Sequence, residues 1–284
     1  MMKLSISVRR LLPGMALASL LGAGLLAGCS SKGDERMGLT TDLASLPADE
    51  LYNAGIDSLQ SGRYADAVTR FDAVEQNYPY STWSTKAQLM HGYAEYKRGD
   101  YDDAVSALER YIQLHPSNSD TAYAYYLRGL SYYEQISDIQ RDQANTQKAL
   151  AALDDVVTRY PDTDYARDAK LKLDLCRDHL AGKEMSVGRW YEEQHYYVAA
   201  LDRFQVVVTN YQTTNHTPEA LERTTEIYLA MGLPGEAKRT AAVLGYNYPG
   251  NEWYQKAYSL LVQNGVVPDK NGKTEKPGFF ERLF

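Results

Sequence analysis

From residue 48 onward the hydrophobic positions recur at helical spacing in short runs, and the runs then recur as a block. Ala54, Gly55, Gly62, Tyr64, Ala67, Phe71, Val74, Tyr78 and Pro79 come back 37 residues later as His91, Gly92, Gly99, Tyr101, Ala104, Leu108, Tyr111, His115 and Pro116. The pattern predicts a helix, a turn and a second helix. Gly62 and Gly99 break the two helices, Ala67 and Ala104 let them approach closely, and Pro79 and Pro116 end the second one. Weaker copies follow. Ala149, Leu153, Val156, Tyr160 and Pro161 repeat a second helix whose first helix carries Leu127, Arg128, Gly129 and Leu130, with an insertion near Gln135 to Gln147 between them. Gly188, Tyr197, Ala200, Phe204, Val207 and Tyr211 form a fourth copy, in which Gln212 replaces the terminal Pro. The fifth reads Gly232, Pro234, Ala237, Ala241, Leu244, Tyr248 and Pro249, with Thr217 as N-cap and Pro218 as first helical residue. A helix over 253–261 would close the array.

This spacing of small residue, Gly, Tyr, Ala, aromatic and Pro resembles the tetratricopeptide repeat. The resemblance implies an all-α chain, a right-handed superhelical solenoid of about five such helix pairs with a C-terminal capping helix. One pair cannot bury its apolar stripe alone, so stacked pairs share a continuous core and leave a concave face built from the first helices.

The first 28 residues differ from this pattern. Lys3, Arg9 and Arg10 precede an apolar run through Leu26, with no acid in the segment. A charged start and a short apolar stretch read as an export signal, since a spanning helix needs roughly 20 apolar residues. Leu26, Ala27, Gly28 and Cys29 resemble a bacterial lipobox, which implies cleavage before Cys29 and acylation of that residue. Each buried methylene of an acyl chain contributes about 0.8 kcal/mol, so more than one chain anchors stably. Ser30 follows, where Asp commonly retains such lipoproteins at the inner membrane; the outer membrane, on its periplasmic face, is expected. The organisation is therefore a signal peptide over 1–28, a lipidated N-terminus and flexible tether over 29–46, N-terminal repeats over 47–162, C-terminal repeats and capping helix over 163–264, and a flexible tail over 265–284.

Processing moves the formal charge from −7 to −10, because three cations and no acids are removed. So acidic a chain is a poor nucleic-acid binder, whose affinity depends on neutralising phosphates. Of the two cysteines, Cys29 becomes the anchor, and Cys176 lies in a stripe with Leu173, Leu175 and Leu180 that reads as a helix core. No enzyme is expected. His91, His115, His179, His195 and His216 lack zinc spacing, phosphate-loop and nucleophile-elbow motifs are missing, and Asp100, Asp102 and Asp103 open a helix as ordinary dipole complements. No cofactor or metal site is read.

The aromatic count is lopsided, with 24 Tyr against 5 Phe and 3 Trp. At first-helix positions that face the groove of tetratricopeptide repeats stand Tyr52, Ile56 and Leu59, then Leu89, Tyr93 and Tyr96, then Tyr123, Tyr126, Leu130 and Tyr133. Rings with a hydroxyl tip bury area at small entropic cost and still hydrogen-bond, which suits an extended peptide. The same positions also contact neighbouring helices, so core and groove compete for them.

A lipobox joined to five repeats resembles the BamD-type lipoproteins of the outer-membrane β-barrel assembly machine. The more specific parts are Tyr78, Pro79 and Ser81; Tyr123 with Tyr126 to Leu130; Arg141 and Asp142 in the inserted loop; Arg177 and Asp178; and Ser186, Val187, Trp190 and Tyr191 leading to Val198, Ala199 and Arg203. The resemblance implies a non-catalytic subunit whose N-terminal repeats receive the aromatic C-terminal signal of unfolded outer-membrane proteins. It implies that the C-terminal repeats contact the POTRA region of the insertase BamA, beside other assembly-machine lipoproteins, with Arg189, Trp190, Tyr191 and Arg203 as candidate docking residues. The alternative is another repeat lipoprotein, a secretin pilotin or an adaptor for envelope proteases or peptidoglycan enzymes. The tail ends in Phe279, Phe280, Leu283 and Phe284, apolar residues that would dock on a partner or on the chain's own groove.

Overall fold

The computed structural model describes Leu43 and residues 45–268, and these form eleven helices with no strand among them. The signal segment, Cys29 and the aromatic end of the tail lie outside the described residues. In chain order the helices are α1 (Ala48–Gln60), α2 (Tyr64–Asn77), α3 (Thr82–Arg98), α4 (Tyr101–Leu114), α5 (Thr121–Tyr133), α6 (Ala144–Arg159), α7 (Asp164–Glu193), α8 (Tyr197–Asn210), α9 (Thr217–Ala230), α10 (Pro234–Asn247) and α11 (Glu252–Gln263). Odd-numbered helices α1 to α9 are the first helices of five pairs, and α11 closes the array as expected, slightly longer at both ends.

Every pair but the third is joined by a turn that holds a left-handed backbone residue. Gly62, Gly99 and Gly232 stand two residues before the second helix with φ of 71°, 89° and 73°. In the fourth pair that position is His195, with φ 61°, where a Cβ-bearing residue is held in a strained conformation. The far ends of the second helices also share one geometry. Tyr78, His115, Tyr160 and Tyr248 precede proline at φ near −130° and ψ near 50°, outside the helical region that a following proline ring disfavours. Tyr211 adopts φ −129° and ψ 36° before Gln212, so the missing proline leaves the turn intact. Ser81, Thr163 and Asn251 cap α3, α7 and α11 with side-chain oxygens. Thr217 does not act as the expected N-cap. It is already helical, and its hydroxyl donates to the carbonyl of Tyr211 instead.

The core is a series of layers in which a second helix is pressed between two first helices. Leu89 of α3, Leu108, Tyr111 and Ile112 of α4, and Ala124 and Leu127 of α5 make one layer. Ala181 and Met185 of α7, Phe204 and Val207 of α8, and Ala220 and Ile227 of α9 make another. Within pairs the fit is glycine against a bulky residue. A Cβ on Gly55 would lie 2.6 Å from the Phe71 ring, on Gly92 2.8 Å from Leu108, on Gly129 2.8 Å from Leu153, and on Gly188 2.5 Å from Phe204. The fifth pair reverses sizes: Thr225 and Ala241 stand at the matching places, both buried.

The insertion of the third pair is a loop that lies along α7. His179 Nε2 meets the carbonyl of Ser137 at 2.8 Å, Gln140 donates to Ser186 at 2.9 Å, and Lys183 donates to the Gln140 carbonyl at 3.1 Å. Helix α7 runs for 30 residues, so its first half belongs to the layer before it and its second half to the layer after. Cys176 is fully buried as expected, and burial pushes its thiol up to about 11, which leaves it unreactive. Leu175 departs from the predicted core stripe: it is 57% exposed, because the helix turns it away from α6. The tether and tail assignments shift at their inner ends. Leu43 is buried and the Tyr78 hydroxyl donates to the Leu46 carbonyl, while Val266 and Val267 pack on the last layer and Tyr258 donates to the Pro268 carbonyl.

Candidate functional site

Glycine marks the register of the inner face, since Gly55, Gly92, Gly129 and Gly188 occupy equivalent positions in four first helices. Residues three before, one after and four after each glycine line up along one side of the array. In α1 these are Tyr52, Ile56 and Leu59; in α3, Leu89, Tyr93 and Tyr96; in α5, Tyr126, Leu130 and Tyr133. All but one are half-buried, which means that they pack on a layer and still show an edge to solvent. Leu89 is the exception. At 7% exposure it belongs to the core between α3 and α4 and not to the groove. Tyr52 leans on Phe71 and Trp83, at centroid distances of 5.6 and 5.1 Å, so it bridges the first two pairs.

The remaining tyrosines form a connected floor. Tyr93 lies 6.5 Å from Tyr123, and Tyr123 and Tyr126 each lie 5.4 Å from Tyr165, the latter pair stacked. The Tyr126 hydroxyl donates to Asp168, Asp168 pairs with Lys172 at 3.2 Å, and Lys172 sits over the Tyr133 ring at 5.3 Å. Tyr96 donates to Glu134 at 3.3 Å. Burial, and then neighbouring carboxylate and phenol groups, raise these phenols: Tyr96 to about 12, and Tyr123 and Tyr126 further in the same direction. They stay protonated at neutral pH, and Tyr96 and Tyr126 donate that proton to Glu134 and Asp168. Asp168 moves the other way, because the Tyr126 hydroxyl and Lys172 favour its charged form.

Tyr165, Asp168 and Lys172 were not among the sequence-derived candidates. Their spacing of three and seven residues just after Pro161 matches a first helix, yet the stripe of Leu173, Cys176 and Leu180 that follows on the same helix is the stronger sequence signal. Beyond Tyr133 the floor opens into a cleft of about 510 Å³, also lined by Ile136, Leu175, His179, His216 and Arg189.

The four candidate docking residues are not alike. Trp190 is 52% exposed and meets Tyr191 edge-on at 5.1 Å, whereas Tyr191 packs on the α7–α8–α9 layer. Arg189 is engaged by Glu219 at 2.8 Å and Arg203 by Glu184 at 3.1 Å. Arg223 joins Glu219 and Glu192, each at 2.7 Å, so α7 and α9 are held together by charges. Tyr196 and Val198 extend the exposed apolar edge beside Trp190. Among the described residues three carboxylates converge at Glu95, Asp100 and Asp103, and Arg98 already neutralises Glu95 at 2.9 Å and pairs with Asp100.

No helix among the described residues is long and apolar enough to cross a membrane. A family profile described as outer membrane lipoprotein (YfiO) matches residues 44–244. The chain is 48% identical over 256 residues to the outer membrane protein assembly factor BamD of Caulobacter vibrioides, covering 90% of this chain and 83% of that one. It is 45% identical to the protein of the same name from Rickettsia prowazekii, covering 86% and 96%. Among solved structures it is similar to a thermophilic TPR protein of Thermus thermophilus, with 20% identity, a TM-score of 0.36 and coverage of 76% and 99%. The profile takes in the groove and the charged α7–α9 contact alike, and both relatives extend over nearly the whole chain; it belongs to the BamD family of outer membrane lipoproteins.

Proposed function

We propose that the chain is a non-catalytic receptor and scaffold for assembly of β-barrel proteins into the outer membrane, held on the periplasmic face by acyl chains on Cys29. The relatives' shared description as assembly factors supports this reading. In it, residues 47–162 take the aromatic C-terminal signal of an unfolded client, and the floor extends onto Tyr165, Asp168 and Lys172. Residues 163–264 dock the POTRA region of the insertase BamA. There Trp190 and its exposed neighbours Tyr196 and Val198 supply the apolar anchor, with Arg189 and Arg203 at its edge.

The observation that carries the client half is the run of half-buried, hydroxyl-tipped rings from Tyr93 to Tyr133. An extended peptide ending in aromatic residues offers rings to stack on those faces and backbone N–H groups to donate to the hydroxyl oxygens. Alanine at both Tyr93 and Tyr126 should weaken a peptide ending in an aromatic-rich, Phe-terminated strand by about tenfold or more. The measurement is fluorescence anisotropy of the labelled peptide, with helical circular dichroism unchanged. Equal affinity in a folded double variant would remove the groove from the reading.

A further inference from the structure

The register that places tyrosines on the groove runs on into the fifth pair, where Thr225 takes the place of the glycine. Its three inner positions are Glu222, Glu226 and Leu229. Glu222 therefore occupies the place held by Tyr52, Leu89, Tyr126 and Met185 in the other pairs, a place buried at Leu89 and Met185 and half-buried at the two tyrosines. It is only 6% exposed. Among the described residues no hydrogen bond or ion pair holds its carboxylate. The nearby arginine is already committed, since Arg223 binds Glu219 and Glu192. Packing does not call for a charge here, and an uncompensated buried carboxylate costs stability.

Glu222 lines an open cleft of about 570 Å³ between α9 and α11, with Glu226, Glu252, Gln255, Lys256 and Ser259. The one cation on that wall is occupied. Lys256 lies over the Trp253 ring at 3.8 Å and reaches Glu252 at 4.0 Å. The cleft thus offers more negative charge than it balances, and its deepest acid has no partner. A bare metal ion fits poorly, because the carboxylates lining the cleft are not among those that converge as ligands. A long cationic side chain reaches the buried acid with its charge and covers Leu260 with its methylenes.

We propose that this cleft binds a lysine or arginine side chain presented by a segment of a partner protein, with Glu222 as the buried acceptor. The inference is independent of what fills the aromatic groove. Lysines also follow in the chain's own tail at 270, 273 and 276, but with Arg282 they are nearly balanced by Asp269, Glu275 and Glu281. A separate partner is the better charge match. The free protein keeps Glu222 partly protonated around neutrality: burial foremost, then Glu226 and Glu192, lift it to about 7 against the opposing pull of Arg223 and Lys256. Glu252, on the facing wall, adds to the negative potential. A bound cation restores the charge, so binding expels a proton.

The test uses hexalysine as probe, titrated calorimetrically into the full mature chain in detergent. Glu222→Gln should weaken binding by about tenfold. The wild-type affinity should fall between about pH 8 and pH 6 while that of the variant stays flat. The amide carries no charge to desolvate in the cleft, so the variant should melt no lower than wild type. Glu226→Gln, at an exposed site, provides a second variant with a smaller loss. Affinity within about twofold in both variants, or a pH dependence that survives Glu222→Gln, would overturn the proposal. So would truncation after Pro268 that tightens hexalysine binding about tenfold, because the tail's own lysines would then be the occupant.

Discussion

Along one register of the first helices, the first three pairs carry only rings and aliphatic side chains, whereas the last two carry charges at four of six positions, beside Met185 and Leu229. Tyr93, Tyr96 and Tyr126 lie where Arg189, Glu192 and Glu222 lie further along, and Leu130 lies where Glu226 does. The backbone geometry is shared, so the difference is chemical. Along the floor of the first half the contacts are rings, with Tyr126 stacked on Tyr165, and an ion pair at Asp168 and Lys172. In the second half α7 and α9 are joined by Arg189, Glu219, Arg223 and Glu192, all partly or largely removed from water. Rings tolerate a range of peptide sequences, whereas a fixed lattice of charges suits one constant partner. Helix α7 connects the two, with Tyr165 at one end and Arg189 in its last turns.

The largest expected effect tests the charged half. Arg223→Ala removes the partner of Glu219 and Glu192 together and leaves Glu192, already raised mainly by burial, with less compensation. A loss of about 3 kcal/mol is expected in urea denaturation. Little salt dependence should accompany it, because these side chains are poorly hydrated. A loss as small as that from an exposed pair would erase the contrast between the halves.

Glu222→Gln comes next and has the opposite sign. A carboxyl raised in the folded state contributes most below the ordinary carboxylate range, and that contribution is lost as pH rises through about 7. The variant should therefore be more stable than wild type by about 2 kcal/mol near pH 8, with the gain shrinking toward pH 5. Thermal melts at the two pH values measure this. The same substitution is expected to weaken hexalysine binding, which separates stability from function at one residue.

The smallest effect belongs to the rings. Tyr126→Phe keeps the stack on Tyr165 and deletes the bond to Asp168, at a cost of about 1 kcal/mol. Asp168 is depressed in the folded state, so this contribution is present above the unfolded carboxylate range and disappears as pH falls through the folded value. Chemical denaturation near neutrality and in acid should show the difference closing.

Much of this was legible beforehand for a physical reason: repetition averages out local ambiguity. Gly62, Gly99, Pro79 and Pro116 mark breaks that no single helix would make certain, and the spacing of Gly55 and Gly92 repeats with them. Tyr93, Tyr96, Tyr123, Tyr126 and Tyr133 could be placed on one face from that register alone. Leu89 could not be told from a groove residue, because its burial depends on Leu108 and Leu127 across two other helices. Tyr165 and Lys172 were hidden by the 30-residue length of α7, which carries a groove stripe and a core stripe at once.

The sequence by itself determined the helices, their pairing and the family, since turn residues and apolar spacing act locally and recur. It also determined an excess of tyrosine and of acid. Only the tertiary structure decided which tyrosines share a floor, that Arg189 and Arg203 are already paired, and that Glu222 is buried without a partner. Those facts depend on the distance between side chains far apart in the chain, on 30 residues between Arg189 and Glu219 for example, and that distance is set by how the layers stack.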